Sequence, residues 1–118
     1  MDTDGLIYHL MPRDDWDTLW EAQRYEPPSL KAEGFIHASS LSQVLATAER
    51  YFAGRDDIVL LCVDPSRLPG ETVYEDLSGS GEAFPHVYGP IMLNSVIGCF
   101  DMLRDAGGRF ELPSSFRT

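Results

Sequence analysis

The sequence predicts a single α+β domain, and three observations predict it. The chain has 118 residues, close to the usual size of one domain. Its helical patterns fall early and its strand patterns late, without the regular strand–helix–strand alternation of a doubly wound parallel sheet. The run Ile58-Val59-Leu60-Leu61-Cys62-Val63 is apolar throughout, as a fully buried central strand requires. With 43% hydrophobic residues, a chain of this length closes a core without disulfides or metal staples.

Taken in order, Leu6 to Leu10 is rich in strand formers and reads as the first strand. Pro12 suits a helix entry, and Asp14 and Asp15 stand where the helix dipole favours negative charge. Trp16, Leu19 and Trp20 follow at i, i+3 and i+4, the apolar face of a short helix. Pro27-Pro28 excludes a central strand or helix interior, and Ser29 to Glu33 forms at most one helical turn ended by Gly34. Phe35 to Ala38 reads as a second strand. Ser40-Leu41-Ser42-Gln43 has the form of a capping box, opening a helix whose stripe is Leu41, Val44, Leu45, Ala48, Tyr51 and Phe52 and whose stop is Gly54. After the central strand come strand patterns at Thr72 to Leu77, Phe84 to Tyr88 and Ser95 to Leu103, with a flexible Ser78-Gly79-Ser80-Gly81 loop between the first two. The expected organisation is residues 1–5 disordered, 6–103 one globular domain, and 104–118 a Gly- and Pro-punctuated C-terminal tail.

Charge narrows the partners. The net charge of −10, from 19 acidic and 9 basic residues, repels phosphate backbones and anionic lipid, so neither nucleic acid nor membrane is expected. No apolar run approaches the length of a membrane span, and Met1 to Gly5 is too polar for a secretory signal. Cys62 and Cys99 lie in strand patterns and read as buried thiols, with no C-x-x-C pair to hold zinc. The expected setting is cytoplasmic, and the oligomeric state is left open.

The chemistry-bearing residues are the three histidines, His9, His37 and His86, all in or beside strand patterns. Side chains alternate along a strand, so His37 and Ser39 would share one face, and His86 and Tyr88 another. A histidine in a strand is as often a hydrogen-bonded core residue, but three of them with Ser39 and Tyr88 point to one cleft. H-x-H and H-E-x-x-H pairs are absent, so no metal is expected despite the precedent of three-histidine zinc sites. No G-x-S-x-G elbow marks a serine hydrolase. Ser39 and Ser40 compete to cap the following helix, and the other serine, or the helix-start N–H groups, would remain free for an anion. Among the acids, Glu82 is preferred and Glu75 is the runner-up, because the chain runs from Glu82 directly to His86 and Tyr88.

Four stretches together carry a resemblance: Tyr8-His9-Leu10, Pro27 to Leu30, Glu33-Gly34-Phe35-Ile36-His37-Ala38-Ser39, and Phe84-Pro85-His86-Val87-Tyr88-Gly89-Pro90. They resemble the bacterial and plant family known as domain of unknown function 952, over residues 6 to 103. The family often has Cys where this chain has Ala38. The resemblance implies an ADP-ribosylation-like fold, a split antiparallel β core with flanking helices, as in NAD-dependent ADP-ribosyltransferases. By position it would make His9 the first-strand residue that binds cofactor, Ser39 the second-strand support, and Glu82, with Glu75 behind it, the late glutamate that orients the ribose. No E-x-E or Q-x-E motif surrounds either glutamate. RNA 2′-phosphotransferases share that fold, but the acidic surface argues against RNA.

The leading expectation is an ADP-ribosyltransferase-like enzyme binding NAD or a related nucleotide. His9, His37 and Glu82 would be catalytic, and Ser39, His86 and Tyr88 would bind ligand. The alternatives are a catalytically inactive nucleotide- or metabolite-binding module and a structural or partner-binding domain.

Overall fold

The computed structural model describes residues 5–116. In chain order the elements are β1 (Ile7–Pro12), α1 (Arg13–Ala22), β2 (Arg24–Tyr25), α2 (Pro28–Glu33), β3 (Ile36–His37), α3 (Val44–Phe52), β4 (Ile58–Val63), β5 (Glu71–Glu75), β6 (Phe84–Tyr88), β7 (Ile91–Met92), β8 (Val96–Asp101), β9 (Leu103–Arg104) and β10 (Phe110–Glu111). The class is α+β, and the strand pairings are antiparallel.

The six apolar residues of β4 are all buried, and the strand lies between β1 and β8 in a three-stranded sheet. Alternation sorts β1 and β4 into two faces. Ile7, Met11, Val59, Leu61 and Val63 face a core completed by Leu19, Ile36, Val87 and Ile91. Tyr8, Leu10, Ile58, Leu60 and Cys62 face a second core completed by Val44 and Ala48 of α3, with Met102 and Phe110. Neither cysteine forms a disulfide; Cys62 is buried and Cys99 only half-buried.

Local sequence explains the helix ends. Pro28 opens α2 after Pro27, and Gly34, at φ 88°, closes it in the left-handed conformation that costs glycine least. The expected helix from Leu41 begins as a short 3₁₀ turn, Leu41–Gln43, before α3 proper. Ser40, not Ser39, is its cap, and the Ser40 N–H donates to Gln43 Oε1 at 3.0 Å. In α1 the core takes Leu19, with Trp16 partly buried against it, while Trp20 stays 61% exposed, so only part of the expected apolar face is buried.

A second three-stranded sheet runs β3–β6–β5. Its central strand contains Pro85, which the ladder tolerates. The Pro85 carbonyl accepts from the Ala38 N–H at 3.0 Å, so its carbonyl side, and with it the missing N–H, faces away from β5.

The segment expected as a tail folds onto the domain as far as it is described. Arg104 pairs with Phe110, and Asp105 Oδ1 accepts from the N–H groups of Gly107 and Arg109, so the glycines build a tight turn rather than a loose end. Phe110 is buried, and the Phe116 ring meets Tyr8 at 5.9 Å and Phe100 at 5.1 Å. Of residues 1–5, expected to be disordered, 1–4 lie outside the described residues and Gly5 is exposed. Among the described residues no helix is long and apolar enough to cross a membrane.

Phe110→Ala should therefore destabilise the whole domain by about 3–5 kcal/mol in urea unfolding. A dispensable tail would instead give a change within about 0.5 kcal/mol.

Candidate functional site

The site is assembled where the two sheets meet. Tyr8 N–H donates to the Ser39 carbonyl at 2.8 Å, and Ser39 N–H returns to the Tyr8 carbonyl at 2.7 Å. One residue along, His9 Nδ1 donates to the His37 carbonyl at 2.7 Å. β3 then lays His37 opposite His86 on β6. On the far side of β6, β5 places Glu71 opposite Tyr88, Val73 opposite His86 and Glu75 opposite Phe84. Because side chains alternate, Ile36 and Val87 point into the core and His37, His86, Tyr88, Glu71, Val73 and Glu75 share the outer face.

Phe35 organises this face. Its ring stacks on His86 at 4.2 Å and 23°, and it meets His37 at 4.9 Å and Tyr88 at 5.4 Å. The His37 and His86 rings meet edge-on at 5.4 Å. Each imidazole has its own carboxylate: His37 Nε2 lies 2.8 Å from Glu33 Oε1, and His86 Nδ1 lies 2.9 Å from Glu75 Oε1. An ionised carboxylate only accepts, so both ring nitrogens carry hydrogen.

Glu75 is the centre of the arrangement. The Tyr88 hydroxyl donates at 2.6 Å to the same Oε1 that His86 uses. The Tyr88 hydrogen bond and then that of His86 hold the Glu75 carboxyl below its ordinary range. The same bond to Glu75 raises the Tyr88 phenol above its own. Glu75, Tyr88, Val73 and Glu71 line an open groove of about 420 Å³.

The sequence-predicted residues divide between this face and the structure behind it. His37, His86 and Tyr88 converge. His9 reaches the group only through the His37 backbone; its own ring lies 5.6 Å from that of Tyr25. His9 is half-buried, and the chain packs around it closely enough for desolvation to push its pKa down to about 4, against the opposing pull of the His37 carbonyl. His9 is therefore neutral near pH 7, with hydrogen on Nδ1. Ser39 is 4% exposed and its hydroxyl bonds Thr47 Oγ1 at 3.3 Å, so it does not share the face of His37. Glu82 is exposed and accepts from Gln43 Nε2 at 3.0 Å at the entrance to α3, whereas Glu75 sits at the imidazole.

Sequence reasoning missed Phe35, Glu33 and Glu71. The i, i+4 spacing of Glu33 and His37 and the alternation of Glu71, Val73 and Glu75 were the available signals. Among the described residues no group of three or more His, Cys, Asp or Glu is placed to hold a metal ion.

A family model described as "Protein of unknown function (DUF952)" matches residues 10–99. The chain belongs to that family. The crystal structure of protein CC0527 from Caulobacter crescentus is 34% identical, with 90% of this chain and 93% of that chain covered and a TM-score of 0.78. A double mutant of CC0527 gives the same values. Its solution NMR structure is 31% identical, with 96% and 97% covered and a TM-score of 0.74. None of the curated proteins matches.

The depressed His9 pKa predicts a pH-dependent stability for this DUF952 protein. Below the unfolded pKa of 6.5, the unfolded chain takes a proton that the native His9 refuses until about pH 4. Stability should fall as pH drops through that window, by about 3 kcal/mol at most, and level off below it. His9→Asn keeps a donor for the His37 carbonyl and removes the titration. Urea unfolding from pH 7 to pH 4 should show a flatter pH dependence for the variant than for the parent.

Proposed function

We propose that this DUF952 protein binds a small nucleotide-like ligand, NAD being the candidate, in the groove beside Glu75, and acts there as an ADP-ribosyltransferase-like enzyme. The observation that carries the reading is the shared oxygen of Glu75. His86 and Tyr88 both donate to it, at 2.9 and 2.6 Å, and keep the carboxylate ionised and fixed at the groove wall. A fixed carboxylate beside a ribosyl carbon stabilises the oxocarbenium-like charge that develops as a glycosidic bond breaks.

In this assignment Glu75 replaces Glu82 as the late glutamate. His37, whose side chain is 57% exposed, holds ribose oxygens, and Tyr88 offers its ring to the base. His9 and Ser39 stand behind β3 and set the position of His37. The ADP-ribosylation-like label belongs to the same proposal, and the antiparallel core divided between two three-stranded sheets supports it. A cytoplasmic setting, which suits two free thiols, is part of the proposal as well.

One observation favours a second reading, a module that binds without turnover: Phe35 stacks over His86 at 4.2 Å and leaves that residue 5% exposed, away from a ligand in the groove.

Ligand-observed NMR with NAD, followed by assay of nicotinamide release, separates the outcomes. The enzyme reading expects binding and release, with release reduced about 100-fold or more in Glu75→Gln and unchanged in Glu82→Gln. Saturable binding that Glu75→Gln abolishes, with no product, selects the binding module. No NAD binding, or binding indifferent to Glu75→Gln, overturns the proposal.

A further inference from the structure

Glu71, Val73 and Glu75 alternate along β5, so all three stand on the outer face of the sheet. Tyr88 is paired with Glu71, yet its hydroxyl reaches Glu75 Oε1 at 2.6 Å. The side chain therefore runs from the Glu71 end of this face to Glu75, with its ring 5.4 Å from that of Phe35. The hydrogen bond fixes the ring, and the residue remains 38% exposed. Both donors to Glu75 use Oε1. Oε2 takes no hydrogen bond among the described residues, and Glu71 is exposed.

Among the described residues no Lys or Arg lines the groove. The arginines that form ion pairs among the described residues do so elsewhere, with Asp101, Glu26, Asp57, Asp64 and Asp56. A phosphate placed here would meet two carboxylates and no counter-charge. A positive group would meet an aromatic face flanked by anions, the arrangement that attracts organic cations.

We infer that the groove selects an organic cation, its positive group lying on the Tyr88 ring between Glu71 and Glu75, and that it admits no phosphate. The inference rests on the groove being the ligand site, and within that reading assigns it the positively charged part of the ligand. Phosphates of a nucleotide would remain in solvent.

Three small probes isolate the charge: 1-methylnicotinamide, a permanent cation; nicotinamide, the same ring without charge; and AMP, an anion. NAD is titrated alongside. Amide shifts of Val73, Glu75 and Tyr88 in the full chain report the groove. The cation should shift these amides with a Kd about tenfold below that of nicotinamide, AMP should leave them unmoved, and added salt should weaken the cation. Glu71→Gln, at an exposed position, should weaken the cation several-fold and leave nicotinamide unchanged. If nicotinamide, AMP or NAD shifts the groove while the cation is no better, the charge inference fails and the ligand site stands. If no probe moves these amides, NAD included, both fail.

Discussion

Two reciprocal hydrogen bonds between Tyr8 and Ser39, at 2.8 and 2.7 Å, fasten the edge of one sheet to the other. On the inner side of this bridge β1 is already paired with β4, so Ser39 covers the edge that β1 would otherwise present to solvent. Thr47 holds the Ser39 hydroxyl from α3, and His9 holds the His37 carbonyl from β1. A helix and both sheets thus meet within three residues of chain. The positions of His37, and through it His86, follow from that junction.

The second sheet divides its two faces between stability and chemistry. Ile36 and Val87 are fully buried and lock β3 and β6 to the core. Their neighbours His37, His86 and Tyr88 stand on the opposite face and inherit that rigidity. Gly70 completes the support. A Cβ there would lie 2.0 Å from the Tyr88 carbonyl oxygen, so only glycine lets the approach to β5 lie against the end of β6. Tyr88 is thereby held at the groove from its backbone by Gly70 and from its hydroxyl by Glu75.

Much of this was legible in the chain. The bounds of β4 and β6 coincide with the apolar run and with Phe84 to Tyr88. The capping box placed the entry to α3, and the shared face of His86 and Tyr88 followed from alternation alone. Glu82 shows where local reasoning stops. It lies four residues before His86, but the Asp76 carboxylate gathers the N–H groups of Ser80 and Gly81 and curls the loop, and Glu82 meets Gln43 instead. Glu75, eleven residues from His86, arrives beside it because antiparallel pairing brings distant positions together. The inference that Ser39 shares a face with His37 failed for a related reason. The paired stretch of β3 ends at His37, and the bridge to Tyr8 turns the Ser39 hydroxyl toward α3.

Composition and periodicity determined the α+β class, the buried central strand and the helix entries, and four short motifs carried the resemblance to the family, since each depends on residues near one another in the chain. The tertiary structure alone decided that Phe110 belongs to the core, that His9 works through a backbone carbonyl, and that Glu75 is the carboxylate of the imidazole–phenol pair. These are outcomes of strand register and sheet contact. Register is fixed by which apolar faces bury against each other across the whole domain, a quantity that no short stretch of sequence contains.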